Sequence, residues 1–388
     1  MKYMNYKNII KVLILVLLLS NSVYAADINF NDKTINAAKH IFKNRSAEEL
    51  AKLNDNVINL DEIDDLINMN NSTVRNNWNN YESNKDKMDV YDDYLDAYNA
   101  LDSLASSADS EVQTAMFRAQ ADAMMMNANN NVVDSSINFL NFYIVEKNIV
   151  LATKISFINY FKSILNLQKL DYQYKQAERS LNTALNNYNA GNITRVEYLT
   201  AKKNVDDLKA SVLLASSQLE ATKRNTLINC GRNAGDTILM NPTPVTDDMF
   251  SKIDFYLDCG TALDTNFQYN VYKRQLENAM NDEMKKQNQI YVDSAPNFIV
   301  TDIEKKFYDL IDAKTAYNNE VDTYDFTVKE YNRAKNSYDA GNISLSDYQL
   351  KQFDLDIAKL NRDMAKYDIL VAYETYYAAV NGLASAGN

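Results

Sequence analysis

One short motif occurs twice in this chain and restricts its fold more than any other feature. The copies read Tyr188-Asn-Ala-Gly191-Asn-Ile193-Thr194 and Tyr338-Asp-Ala-Gly341-Asn-Ile343-Ser344, with 150 residues between equivalent positions. In each copy a helical pattern ends at the tyrosine, the glycine supplies the left-handed backbone that closes a helix, and Thr or Ser can cap the next helix. Each copy therefore predicts a tight turn between two helices, which we call a tip.

An acidic residue follows each cap at the third helical position. Glu197 follows Thr194 and completes a capping box, in which the side chain of each residue accepts a hydrogen bond from the backbone N–H of the other. Asp347 follows Ser344 and has a shorter side chain, so it only approximates the same box. Both carboxylates also favour the positive end of the helix dipole.

The helices that lead into the tips share an apolar register. Alternating steps of three and four residues back from Tyr338 meet Tyr331, Tyr324 and Tyr317, and the same steps from Tyr188 meet equivalent positions 150 residues earlier. A period of 3.5 residues indicates coiled-coil packing. The first of these seam helices, predicted over residues 136–188, would be about 80 Å long.

Composition supports long helices and excludes a strand-rich fold. Three prolines and seven glycines in 388 residues, with 46% hydrophobic residues, favour an all-α chain over sheets joined by many turns. The duplicated seam predicts one elongated domain of two similar halves. Its segments are a polar lead-in (26–57), a first helical repeat (58–231), a proline-containing linker (232–260) and a second helical repeat (261–383). Within the repeats, turn-forming residues predict that the first opening stretch is helical to Met126, that a break follows at residues 127–131, and that residues 293–297 turn into the second seam helix.

The first 25 residues have the pattern of an export signal. Three lysines precede the apolar run Val12 to Leu19, and small residues at Val23 to Ala25 fit a cleavage site. That run is too short for a bilayer, which requires about 20 residues, so cleavage is favoured over an uncleaved anchor. Removal of the three lysines takes the formal charge from -12 to about -15, which argues against nucleic acid and anionic lipid as partners.

Taken together, these residues resemble the TolC-like outer membrane efflux proteins. The resemblance rests on the two tips, on the heptad helix that follows each, and on Leu227 to Gly231 closing the first half; it covers about residues 58–383. It implies a homotrimer whose duplicated helical hairpins form a hollow α-barrel. It also implies that the tips meet a periplasmic membrane-fusion adaptor, which acts with an inner-membrane pump in efflux or type I secretion.

The sequence departs from the family where barrel strands are expected. The family places them between the opening helix and the seam helix of each half, here near residues 127–136 and 292–298. A spanning strand needs about 9 to 11 residues, and neither interval holds two strands with their connection. Residues 290–292 and 298–300 could form at most a short hairpin. The sequence therefore predicts that the β-barrel strands are reduced or absent, in a cell envelope or outer membrane protein.

No cluster of catalytic, cofactor-binding or metal-ligating residues stands out. Met124, Met125 and Met126 face three directions on a helix and cannot converge on one ion. His40 is the only histidine, and the chain has no nucleophile, zinc or phosphate-binding motif. We therefore predict no enzyme, no cofactor and no metal site. Two functions remain open: a transport conduit, and a coiled-coil structural or interaction protein of the cell envelope without a pore.

Three sets of site residues follow from the sequence and the resemblance. The tips are expected to dock the partner through Gly191, Asn192, Ile193, Gly341, Asn342 and Ile343. Glu197 and Asp347 are expected to place carboxylates at a constriction of the tunnel, although both acids could equally serve only as caps. Cys230 and Cys259 bracket the linker, and two alternatives stay open for them: a disulfide or two buried free thiols.

Overall fold

A computed structural model of the protein describes residues 45–387, except 89, 109, 131–132, 247 and 280. The predicted export signal, residues 1–25, lies outside the described residues, as does most of the lead-in. The first half contains α1 (Ala47–Leu53), α2 (Ile63–Asn70), α3 (Ser72–Met88), α4 (Val90–Ser106), α5 (Glu111–Asn130), α6 (Ser135–Asn189) and α7 (Arg195–Asn229). The second half contains α8 (Asp248–Ser251), α9 (Phe255–Thr265), α10 (Phe267–Asn278), α11 (Asp282–Asp339) and α12 (Leu345–Ala378).

Strand structure is minimal in the part of the chain that the structure describes. It consists of β1 (Val57–Ile58) and β2 (Leu239–Met240), which pair in parallel and join the lead-in to the linker. The predicted all-α fold of elongated, duplicated helical hairpins is confirmed. The same series of four helices occurs in each half. Two short opening helices (α2 and α3, α9 and α10) are followed by a long seam helix that leads into the tip (α6, α11) and a long return helix that leaves it (α7, α12).

The four long helices lie side by side in the order α7, α6, α12, α11. Each seam helix packs on its own return helix, and α6 also packs on α12. Phe161 of α6 stacks on Tyr367 of α12 with ring centroids 6.0 Å apart, and Lys162 pairs with Asp368. Helices α7 and α11 are therefore the outer members of the row.

The hydrophobic core lies at the base of the long helices, away from the tips. Helix α11 contributes Ile299, Ile303 and Leu310, which pack with Ile369 and Tyr376 of α12. From Ile311 to Tyr338, by contrast, α11 buries no hydrophobic side chain. The other three long helices bury only a few apolar side chains along the arms that carry the tips, namely Ala177, Val205, Ala215, Ala358, Leu360 and Ala365.

In each half, an asparagine between the two opening helices donates a hydrogen bond to a backbone carbonyl at the end of the return segment. The side-chain amide of Asn71 donates to the carbonyl oxygen of Asn229 at 3.0 Å, and that of Asn266 donates to Ala384 at 2.7 Å. Both asparagines also cap the helix that follows them through the side-chain oxygen. The base of both hairpins is thereby tied to the chain segment that opens each half.

A charged cluster adds to this base in the first half. The buried Glu146 carboxylate accepts a hydrogen bond from the Trp78 indole at 2.8 Å. Nearby, Asp64 of α2 lies 3.2 Å from Lys147 and 3.1 Å from Lys154, and Lys154 also reaches Glu374 of α12 at 3.4 Å. Burial raises the pKa of the Asp64 carboxyl, but the two lysines outweigh it and hold that pKa below its ordinary value.

Two features predicted from local turn signals were wrong. Residues 293–297 form no turn, because α11 runs through Pro296 without interruption. Helix α5 continues to Asn130, beyond the predicted break that begins at residue 127. Helix α9 begins at Phe255, within the stretch predicted as the linker (232–260), so Cys259 lies inside a helix.

One element was not foreseen at all. The stretch predicted as a continuous helix to Met126 turns back on itself, so that α4 and α5 pack as a hairpin. It stands between the opening and seam helices of the first half. The second half has only residues 279–281 at the equivalent place.

Candidate functional site at the hairpin tips

The first tip has the turn that its motif predicts. Gly191 adopts a φ of +76°, its N–H donates to the Tyr188 carbonyl at 3.0 Å, and the Asn192 N–H donates to the Asn187 carbonyl at 2.8 Å. These are the two hydrogen bonds of a Schellman motif, which satisfies the last carbonyls of a helix. Two of the last carbonyls of α6 are therefore paired, and the chain reverses within five residues.

The second tip repeats this geometry almost atom for atom. Gly341 has a φ of +74°, its N–H donates to Tyr338 at 2.9 Å, and the Asn342 N–H donates to Ser337 at 2.8 Å. Nothing lies within 4 Å of a Cβ placed on Gly191 or Gly341, so each glycine is required by the backbone angle alone.

Both tips have a complete capping box, but the longer Glu197 side chain reaches the backbone of its cap residue more closely than the shorter Asp347 side chain does. The Glu197 carboxylate accepts from the Thr194 backbone N–H at 2.7 Å, whereas Asp347 accepts from the Ser344 N–H at 3.4 Å. The Thr194 backbone N–H holds the pKa of Glu197 below its ordinary value. Asp347 instead makes its short contact with the Ser344 hydroxyl, at 2.8 Å.

A stacked tyrosine pair holds the two helices of each tip together, which sequence reasoning missed. Tyr188 stacks on Tyr198 with centroids 5.4 Å apart, and Tyr338 stacks on Tyr348 at 5.0 Å. The signal was available, because both pairs have the same ten-residue spacing across the motif. At the second tip the Tyr348 hydroxyl also lies 2.7 Å from that of Tyr331.

The apolar surface of the tips differs from the expected one. Ile193 and Ile343 are only half-buried in their loops, so each shows part of its side chain. The first turn of each return helix shows more: Val196 is 72% exposed and Leu345 is 52% exposed. These two residues do not occupy equivalent positions, since Leu345 corresponds to Arg195. The two tips therefore present different apolar surfaces on the same backbone.

Cys230 and Cys259 are both free and buried in the structure, which agrees with two buried thiols and not with a disulfide. Cys230 follows the end of α7, and Cys259 packs in the core cluster at the base of α11. Burial raises the pKa of each thiol to about 12. Both side chains are thus in the neutral, unreactive form at physiological pH.

The described residues contain neither a cluster of metal ligands nor a helix suited to cross a bilayer. No group of three or more His, Cys, Asp or Glu side chains is placed to hold a metal ion among residues 45–387. Over the same part of the chain, none of the helices combines the length and the apolar character that a bilayer crossing demands.

By sequence, no family model and no curated protein matches the chain. Its fold is similar to that of a membrane protein from Pseudomonas aeruginosa, with 10% identity, a TM-score of 0.54, and coverage of 83% of this chain and 93% of that one. CusC, whose structures concern folding and transmembrane channel formation, is similar at 10% identity with a TM-score of 0.55, covering 83% and 92%. The Campylobacter jejuni outer membrane channel CmeC shares 12% identity at a TM-score of 0.48, covering 85% and 87%. The predicted resemblance is confirmed for the fold: the chain is built as the TolC-like channel proteins are.

Proposed function

We propose that this protein is a subunit of a transport conduit, a TolC-like homotrimeric tunnel for efflux or type I secretion across the cell envelope. In this proposal it is exported, is not an enzyme, and acts with a periplasmic adaptor and an inner-membrane pump. The likeness in fold supports this class of function, and the surface of the long helices supports the assembly.

The observation that carries the proposal is the open row of four long helices. Its two outer members expose large apolar side chains: Leu213 and Leu214 of α7 are 63% and 61% exposed, and Phe326 of α11 is 63% exposed. Large apolar side chains exposed side by side, as Leu213 and Leu214 are, are typical of an interaction face. If α7 of one copy packs on α11 of the next, these side chains are covered and the rows can close into a ring.

The seam residues support the same assembly. Tyr317, Tyr324 and Tyr331 are all half-buried in the single chain, although they follow a coiled-coil register. Neighbouring copies would complete the burial that one chain leaves unfinished.

Within this proposal the tips dock the adaptor. The docking residues expected from the motif, Gly191 to Ile193 and Gly341 to Ile343, supply the rigid turn, and the exposed Val196 and Leu345 extend the apolar contact. Glu197 and Asp347 would then line the narrow end of the tunnel as rings of carboxylate, one residue of each kind from every copy.

Electron microscopy of the purified mature protein tests the conduit against the alternative, a coiled-coil spacer of the envelope without a pore. A three-fold ring with a lumen supports the conduit, whereas rods without a lumen support the spacer. Leu214→Glu should break the ring because it places a charge in the outer face of α7. The matched control is Ser216→Glu, which adds the same charge at another exposed position on α7.

Docking is tested by photo-cross-linking from Val196 in intact envelopes, followed by identification of the attached protein. A membrane-fusion adaptor attached at Val196, and not at the exposed Gln218 far from the tip, supports docking. Asp347→Asn should change the divalent-ion block of the reconstituted channel. An unchanged block would leave that carboxylate as a helix cap only.

A further inference from the structure

The α4–α5 hairpin, which packs mainly on itself, is the part of the fold that the proposed tunnel does not explain. It joins the N-terminal end of α6, whose 55 residues lead to the first tip, so it lies about 80 Å from that tip along the helix. Among the described side chains of the hairpin, only Ala105 and Ala121 are buried. Two alanines are a small core for helices of 17 and 20 residues, so much of the apolar surface of the hairpin remains exposed.

Helix α5 has a second apolar face that no element of the described chain covers. Its members recur in steps of four, three, four and three residues, and every one of them is exposed: Val112, Met116, Ala119, Ala123 and Met126. Val112 is 77% exposed, Met116 is 53% exposed and Met126 is 65% exposed. This is an uncharged seam of period 3.5 along nearly the whole helix, while Ala121, on the opposite side, is buried.

The spacing of this seam suits another helix as its partner. Side chains that recur in steps of three and four residues can pack as knobs into the holes of a second helix. The α4–α5 hairpin also contains acids such as Asp93, Asp96 and Asp102, which disfavour an anionic lipid surface.

The residues beside the seam favour a second copy of the same helix. In coiled-coil register the flanking positions are Gln113, Ala115, Gln120 and Asp122, and three of these four are uncharged. Copies of α5 can therefore approach in parallel with little repulsion between like charges. Ala119 and Ala123 at the middle of the seam leave room for close approach.

We propose that α5 is a self-association helix, and that its seam of Val112, Met116, Ala119, Ala123 and Met126 packs against the same seam of neighbouring copies. This proposal rests on the proposed homotrimer and adds a coiled coil at the end of the molecule opposite the tips. Since the second half has no such hairpin, each trimer has one coiled coil built from three identical helices.

Cysteine cross-linking of the full-length protein tests the seam. Ala119→Cys lies on the seam, and Arg118→Cys is a matched control at the neighbouring exposed position off the seam. A short bismaleimide should link Ala119→Cys into covalent dimers several-fold more than Arg118→Cys. The native thiols are buried and protonated, so the unmodified protein is the blank.

A charge placed in the seam gives a second, independent result. Cross-linking through Val112→Cys should be lost when Ala119→Glu is added, because three carboxylates would meet at one level. It should persist with Arg118→Glu as the matched addition. Helical circular dichroism of each variant checks that the loss does not come from unfolding.

Light scattering on the same samples separates this inference from the proposed function. Trimers in which Ala119→Cys and Arg118→Cys cross-link equally, or not at all, would overturn the coiled coil while leaving the tunnel intact. A monomer in every sample would overturn both. A fluorophore on Ala119→Cys that responds to neutral phosphatidylcholine vesicles, with no cross-link formed, would assign the seam to lipid instead.

Discussion

Replacing Gly231 by alanine should destabilise the protein more than replacing either tip glycine. All three glycines have a left-handed backbone, with φ of +73° at Gly231, +76° at Gly191 and +74° at Gly341. An L-residue in that conformation costs roughly 1–2 kcal/mol, and this cost is common to the three substitutions. The environment of the new Cβ is what separates them.

At Gly231 the added atom has no space. A Cβ there would lie 2.1 Å from the Cβ of Asn70 and 2.8 Å from its carbonyl oxygen, whereas the tip glycines have nothing within 4 Å. The Asn70 atoms belong to or adjoin the backbone of α2, so no side-chain rotation relieves the clash. Overpacking of this kind costs about 1–3 kcal/mol, which gives about 2–5 kcal/mol in total for Gly231→Ala against about 1–2 kcal/mol at a tip.

Urea unfolding followed by helical circular dichroism measures this difference as a shift of the midpoint at constant slope. Gly191→Ala and Gly341→Ala serve as each other's control, because their surroundings are equally open. Equal midpoints for Gly231→Ala and the tip variants would show that the end of α7 moves away from α2 at little cost, and the reasoning would fail.

Three further outcomes follow from the structure. Maleimide should label Cys230 and Cys259 only slowly in the native protein, and fully once the protein is denatured without a reductant. If fewer than two thiols are labelled after denaturation, the disulfide alternative would be favoured again. Asp64→Asn should lower the urea midpoint more at pH 7 than at pH 3. The folded-state pKa of Asp64 lies below its unfolded value near 3.8, so its contribution to stability is fully present above that value and declines as pH falls from there through the folded pKa. An equal loss at both pH values would show that the ion pairs with its lysines do not stabilise the fold. Tyr348→Phe should keep the ring stack but lose the hydroxyl contact with Tyr331, so the second tip should become less resistant to proteolysis by a small margin, and a collapse of the whole arm would contradict that division.

The tips could be predicted because local signals and fold agree there. Glycine at the left-handed position, Thr or Ser at the cap and an acid three residues later all act within one turn of helix, and their duplication removed most ambiguity. The contacts between the stacked tyrosines escaped notice because they join two helices. The shared spacing of ten residues predicts a contact only once the two helices are known to be antiparallel.

The failures arose where packing overrides a local preference. Pro296 predicts a turn, yet its neighbours Ala295 and Ile299 are both fully buried at the base of α11, and their burial offsets the one backbone hydrogen bond that proline removes. The turn between α4 and α5 was missed for the opposite reason. Ser106 and Ser107 are weak turn formers in sequence, and only the packing of the two helices reveals that the chain reverses there.

The way the arms are anchored has a mechanical consequence. Leu310 is the last buried hydrophobic side chain of α11 before the second tip, and the 28 residues from there to Tyr338 extend about 42 Å. Such an arm acts as a lever whose fulcrum is the core cluster at the base. A tilt of only about 10° at the fulcrum displaces the tip by about 7 Å over that length. In the proposed tunnel, a slight repacking around Leu310 would therefore be enough to change the diameter of the opening between the tips.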